Sequence, residues 1–174
     1  TCCFIGYKKQ FGSFIYWKWL DIINPPKIVQ QFVNDNMKGY TGSLNIETIN
    51  NIIIEAHLRM GDIDVLPIEI LYYVVLNIID NCDLTDIFNR IKKKKFKPIY
   101  LIPVWGKENT QIYDYLEKYW EERVLDNSDI FFYYFDKPNH PTPTCNKRWF
   151  LFATENLKSV MEFSKMIEED IKQI

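Results

Sequence analysis

Short apolar runs rich in β-branched residues alternate along this chain with segments of helical periodicity. Two of these runs, 52–58 and 99–105, have the length and composition of strands buried on both faces. Between and after them, apolar residues recur at the spacing of one face of a helix. Alternating strands and helices are typical of a mostly parallel sheet flanked by helices, with right-handed crossovers. We therefore predict an α/β fold with a Rossmann-like, three-layer architecture.

Proline, glycine and capping residues mark the ends of the predicted elements. Pro25 and Pro26 precede an amphipathic segment that Gly39 ends, which is a pattern typical of a helix. Gly106 ends a strand and opens a helical segment, and Thr154 is a candidate cap for a helix that runs to the end of the chain. The remaining predictions are helices after Pro67 and at 84–93, strands at 129–135 and 149–152, and loops at 40–47 and 137–147.

The length of the chain fits one domain. It has 174 residues, of which 47% are hydrophobic and 25% are charged, so apolar burial is sufficient to offset the entropy of the unfolded chain. The N-terminal residues are rich in aromatic side chains and show no clean period. We therefore predict an irregular, aromatic-rich N-terminal segment over 1–24 and a single α/β domain over 25–174.

The charge balance argues against nucleic acid as a partner. Lysine and arginine total 21 against 23 acidic residues, so the formal net charge of −2 gives no general attraction for a polyphosphate backbone. The lysines at 92–95 close a predicted helix and are typical of a solvent-facing surface. No apolar run approaches the roughly 20 residues that cross a bilayer, so we predict no transmembrane segment.

The four cysteines predict neither a zinc site nor a disulfide framework. Cys2 and Cys3 are adjacent, whereas Cys82 and Cys145 are isolated, and none of the spacings is that of a metal site. Free thiols favour a reducing intracellular compartment. We expect no metal ion and no cofactor.

The strongest candidate site follows the first predicted strand, where residues 57–62 read HLRMGD. Ligands of open α/β sheets bind beyond the carboxyl ends of the strands. Strand alternation places His57 and Arg59 on one face, and Arg59 offers paired donors to phosphate oxygens. Gly61 permits close approach of a ligand, and Asp62 can orient the arginine or accept a hydrogen bond from a sugar hydroxyl. The cluster therefore predicts an anion-binding site.

A second candidate follows the second predicted strand, at residues 105–110. There Lys107 and Asn109 precede a predicted helix, whose N-terminal backbone amides suit a phosphate group. The segment lacks the spacing of a P-loop, and an ordinary surface loop is the alternative. We retain both residues as candidate nucleotide-binding residues.

Residues 57–62 resemble the H-x-R-x-G-D signature of fucosyltransferase-type glycosyltransferases, although Met60 stands where many members have a second arginine. The resemblance implies a GT-B-like lobe that binds a GDP-sugar such as GDP-fucose and transfers the sugar to a glycan or protein acceptor without a metal ion. It also implies that Arg59 holds the β-phosphate and stabilises charge on the departing diphosphate. His57 would then arrange the site, and Asp62 would support the arginine or the nucleotide.

Two interpretations of function stay open. In the first, the chain is a nucleotide-sugar glycosyltransferase domain. In the second, it is a non-catalytic subunit of a larger protein assembly, and the HLRMGD segment is a buried histidine, a surface salt bridge and a turn. Aromatic residues make up 16% of the chain, and those left exposed would form apolar surface of the kind that binds other proteins.

Overall fold

The computed structural model describes residues 2–8, 14–22, 24–40, 44–58, 70–72, 85, 89, 93, 96–107, 110–136 and 147–174. The chain divides into two compact units. Thr1–Cys3 and Asp21–Phe96 form the first, which we call the hairpin unit, and Phe4–Leu20 and Lys97–Ile174 form the second, which we call the sheet unit. The sequence analysis expected one domain over 25–174, whereas the structure groups residues 4–20 with the C-terminal part of the chain.

The elements alternate less regularly than the sequence analysis expected. The strands are β1 (Cys2–Lys8), β2 (Phe14–Ile22), β3 (Asn45–Ile49), β4 (Ile52–His57), β5 (Tyr100–Gly106), β6 (Phe132–Phe135) and β7 (Lys147–Thr154). The helices with defined ends are α1 (Lys27–Asn36), α2 (Thr110–Tyr119), α3 (Glu121–Leu125) and α4 (Leu157–Ile171).

The sheet unit is built on a five-stranded sheet in the order β1-β2-β5-β7-β6, and its neighbouring strands are antiparallel. The prediction of a mostly parallel, Rossmann-like sheet is therefore wrong. β5 and β7 explain the error, because most of their residues are buried, as they are in a parallel sheet. An apolar run indicates that a strand is buried, but it does not indicate the direction of the neighbouring strand. Here Ile102 pairs with Phe152 in antiparallel register.

The N-terminal segment 1–24, which was expected to be irregular, instead contains the strands β1 and β2. Trp17 pairs with Leu101 of β5. The ring of Tyr16, one position earlier on β2, stacks on Tyr7 with centroids 4.6 Å apart. Both faces of β2 carry aromatic rings, so the alternation of apolar and polar residues that identifies a strand is absent from the sequence.

The core of the sheet unit lies between the sheet and its helices. The Phe152 ring of β7 lies 6.0 Å from that of Phe163 on α4. The cluster of buried residues consists of Ile102, Val104, Ile112, Leu116, Trp120, Val124, Trp149, Phe150, Phe152, Val160, Ile167 and Ile171. The structure confirms the predicted strands at 99–105, 129–135 and 149–152 and the helices that follow the first and the last of them.

Asn156, rather than the predicted Thr154, caps helix α4. The Asn156 Oδ1 atom accepts a hydrogen bond of 3.3 Å from the backbone N–H of Ser159. The Thr154 hydroxyl oxygen accepts one of 2.8 Å from the Asn156 backbone N–H. Thr154 therefore holds the backbone of the capping residue Asn156 but is not itself the cap.

The hairpin unit contains the predicted helix α1, and Gly39 lies beyond its end with a φ of 81°. This left-handed conformation is one that glycine adopts readily, as expected for a residue that follows a helix. Residues 70–72, 85, 89 and 93 are helical, in agreement with the helices predicted after Pro67 and at 84–93.

Strands β3 and β4 form a two-stranded antiparallel hairpin in which Ile49 pairs with Ile52. Asn50 and Asn51 make the two-residue loop with φ values of 50° and 61°, which is the signature of a type I′ turn. The sequence analysis assigned the start of β3 to a loop and read β4 as a buried central strand. That interpretation of β4 is wrong, because Ile52 is 66% exposed and Ile54 is 54% exposed.

Candidate functional site

His57 is the last residue of β4. Of the HLRMGD segment, His57 and Leu58 lie within the described residues. Its Nε2 atom lies 2.9 Å from Oε1 of Glu55. The side chains are 29% and 52% exposed, respectively, so the pair lies at the protein surface. His57 is therefore neither a buried core histidine nor isolated in solvent.

The remaining residues of this predicted site, Arg59, Gly61 and Asp62, lie outside the described residues. Their roles therefore stay predictions. Leu58, which connects His57 to Arg59, is 67% exposed. The segment thus leaves strand β4 at a position that solvent reaches.

The second predicted site is described only in part. Lys107 follows β5 in the sheet unit and is exposed, and its backbone carbonyl accepts a hydrogen bond of 3.2 Å from the Trp149 indole. That contact fixes the backbone at the end of β5. Asn109 lies outside the described residues, and α2 begins at Thr110.

Two carboxylates that the sequence analysis did not single out lie beside His57. Glu47 of β3 is the cross-strand partner of Glu55, and Asn45 is the partner of His57. Residues two positions apart on a strand project to the same face, so all four belong to one face of the hairpin. Glu47, Glu55 and His57 each offer one ligand atom, and these three atoms lie within 4.8 Å of one another.

The type I′ turn at Asn50 and Asn51, together with a bulge in the hairpin, explains why these side chains meet. A two-residue loop aligns the strands that it joins, and the alignment determines which residues oppose each other. The register shifts between Glu47 and Thr48, where the hairpin has a bulge. Beyond that bulge the pairing places Glu47 directly opposite Glu55.

The arrangement combines a base that also binds metal ions with two acidic groups. Carboxylates that oppose each other across an antiparallel pair repel one another, and a positive charge between them relieves the repulsion. Either a protonated imidazole or a bound cation supplies that charge. The signal in the sequence was the spacing Glu55-x-His57 on a strand, but treating β4 as fully buried concealed it.

Comparison of the chain with protein-family models, with curated proteins and with solved structures finds no match. The fucosyltransferase-type signature at residues 57–62 therefore stays a prediction from the residues themselves. Within the part of the chain that the structure describes, no helix has the length and apolar character needed to span a membrane.

Proposed function

We propose that this chain binds the diphosphate of a nucleotide sugar through residues 57–62 and functions as a glycosyltransferase domain. The observation that carries the proposal is the HLRMGD segment, which starts at the surface-exposed end of β4. A diphosphate needs a solvent-accessible site with paired hydrogen-bond donors, and Arg59 is the residue of this segment that supplies them.

The proposal rests on this segment alone and not on the architecture. The resemblance implied a parallel nucleotide-binding lobe, whereas β4 belongs to an antiparallel hairpin. Phosphate recognition by a guanidinium depends on local donor geometry, so it does not require a parallel sheet. In this proposal Arg59 binds the β-phosphate, His57 arranges the site, and Asp62 supports the arginine or the nucleotide. The acceptor is a glycan or a protein.

Thermal unfolding with and without GDP or GDP-fucose tests the proposal. A ligand that binds only the native state raises stability by RT ln(1 + [L]/Kd), so a ligand at 100 times its Kd adds about 2.7 kcal/mol. We expect millimolar GDP to raise the Tm of the wild-type chain. Arg59→Lys retains the charge but loses the paired planar donors, so we expect it to abolish the shift.

Arg123→Lys is the matched control, because Arg123 is an exposed arginine on helix α3 of the sheet unit. This variant should keep the GDP-dependent rise in Tm. Absence of a shift in the wild-type chain at millimolar GDP contradicts the proposal, and a shift that persists in Arg59→Lys removes Arg59 from the site.

A second candidate function is that of a non-catalytic subunit in a protein assembly. The observation that favours it is the exposure of Ile52, Ile54 and Leu58 along and just beyond β4, since exposed apolar surface often marks protein contacts. Sedimentation over a range of concentrations tests it for self-assembly. Association that Ile52→Ser and Ile54→Ser abolish supports this candidate, whereas a monomer that binds GDP contradicts it.

A further inference from the structure

We propose that Glu47, Glu55 and His57 form a binding site for a divalent transition-metal ion between strands β3 and β4, with Zn²⁺ as the representative ion. This site goes beyond the proposed function, which uses neither glutamate and requires no metal. It also departs from the sequence analysis, which considered only the cysteines as metal ligands.

The three ligand atoms lie close enough together for one ion to bind them. One atom from each of the three side chains lies within 4.8 Å of the other two. Zinc binds histidine nitrogen and carboxylate oxygen at about 2.0–2.2 Å, so two ligands of one ion lie at most about 4.4 Å apart. Glu47 and Glu55 are both exposed, and small rotations of their side chains close the remaining distance.

A cation between the two glutamates would also offset the repulsion of their negative charges. Glu47 and Glu55 are direct partners in an antiparallel pair, and like charges in that position destabilise a sheet. His57 contacts the Glu55 carboxylate at 2.9 Å. A divalent cation between the three side chains would turn the repulsion between the two carboxylates into two metal–ligand attractions. The bound ion would therefore stabilise the hairpin relative to its metal-free state.

The chemical types of the three ligands favour a transition-metal ion. An imidazole with two carboxylates suits Zn²⁺ and related first-row ions, whereas Ca²⁺ and Mg²⁺ prefer sites made wholly of oxygen ligands. Three protein ligands leave at least one coordination position for water, as in catalytic rather than structural zinc sites. Glu47 and Glu55 are exposed and His57 is partly exposed, which leaves that position open to solvent.

Isothermal titration calorimetry of the whole chain with ZnCl₂ tests the proposal. We expect one ion per chain at this site and a loss of affinity of at least about tenfold in Glu47→Gln, since even indirect partners of a metal site change affinity by 10- to 100-fold. His57→Gln should behave similarly. Glu122→Gln, which changes an exposed glutamate on helix α3, is the matched control and should bind as the wild type does.

Thermal unfolding separates a lost ligand from a damaged fold. Without metal, Glu47→Gln should be at least as stable as the wild type, because it removes one of two opposed charges. With saturating Zn²⁺ the wild type should gain stability and the variant should not. Equal stabilisation of the wild type and of Glu47→Gln by Zn²⁺ would overturn the proposal.

Two further readouts identify the ligands. The chain has two histidines, so NMR signals of the imidazoles should show that metal perturbs His57 and leaves His140 unchanged. Co²⁺ gives a thiolate charge-transfer band only if a cysteine binds it. If His57 is unchanged and metal instead perturbs His140 or gives this band, the proposal is contradicted. Arg59→Lys should retain metal binding, so failure of the nucleotide proposal leaves this test intact.

Discussion

The indole Nε1 of Trp120 donates a hydrogen bond of 3.1 Å to Oδ2 of Asp170, which joins the junction of α2 and α3 to helix α4. The Tyr115 hydroxyl donates to the same oxygen at 3.0 Å. Burial, and then this hydrogen bond to Asp170, raise the pKa of Tyr115. One carboxylate thus satisfies two aromatic donors at the edge of the core of the sheet unit.

Asp170→Ala should therefore destabilise the sheet unit. Trp120 is 2% exposed, so its indole N–H would lose its partner inside the protein, at a cost of about 1–3 kcal/mol. Urea denaturation followed by circular dichroism measures the change. Glu169→Ala replaces the adjacent exposed glutamate on α4 and should change stability by less than about 0.5 kcal/mol. Equal effects of the two substitutions would show that the shared acceptor does not stabilise the fold.

Two leucines on neighbouring helices test where the core ends. Leu116 of α2 is fully buried, whereas Leu125 at the end of α3 is 65% exposed. Leu116→Ala should lower the free energy of unfolding by about 2–5 kcal/mol, because it removes buried methyl groups and leaves a cavity. Leu125→Ala should lower it by less than about 1 kcal/mol. The same denaturation experiment applies, and a smaller loss for Leu116→Ala than for Leu125→Ala would contradict the assigned core.

Tyr113 should make stability depend on pH in alkaline solution. Its hydrogen bond of 2.6 Å to Glu117 is the largest cause, before desolvation, of a rise in the pKa of Tyr113 to about 12. The unfolded chain releases this proton near pH 10, so the native state holds more protons between pH 10 and pH 12. The contribution of Tyr113 is fully present below that window and is lost as the pH rises through it.

Tyr113→Phe should remove this part of the pH dependence. The measurement is the slope of unfolding free energy against pH across the alkaline window, compared between the variant and the wild type. Absorbance of tyrosinate, taken as the difference between the two proteins, reports the same titration directly. Equal slopes would show that the bond to Glu117 does not favour the protonated hydroxyl in solution.

The hairpin turn should respond to substitution at Asn51. This residue has a φ of 61°, which asparagine and glycine tolerate and other L-residues disfavour by about 1–2 kcal/mol. Asn51→Ala should therefore weaken the hairpin, and Asn51→Gly should not. Hydrogen exchange of the backbone amides of β3 and β4 measures the change. Asn34→Ala, at an exposed position of helix α1, is the control and should leave those amides unaffected. Faster amide exchange in Asn34→Ala would show that the change in exchange is not specific to the turn.

The sequence predicted most helices and four of the strands because their signals are local. Helix α4 has apolar residues at helical spacing, and β5 is a compact apolar run that Gly106 ends. Strand direction is not a local property, so the antiparallel pairing of β5 with β7 could not be read from either run. β2 was missed because aromatic residues occupy both of its faces.

Only part of the candidate site could likewise be predicted from the sequence. His57 and the end of its strand were predicted from one short segment, and β4 does end at His57. Glu47 was missed because its proximity to Glu55 depends on cross-strand register, which a turn and a bulge determine together. Glu55 was missed because the apolar residues around it suggested burial, although the strand is largely exposed.

The two asparagines of the hairpin turn are not ligands of the proposed metal ion, yet together with the bulge they determine which side chains share a face of the hairpin. Inserting a single amino acid between them would offset the two strands, and a one-residue offset moves every side chain of a strand to the opposite face. Glu47 would then point away from Glu55 and His57, although all three ligands would still be encoded. In this hairpin, the length of the connection would therefore affect affinity for the proposed metal ion without changing any ligand.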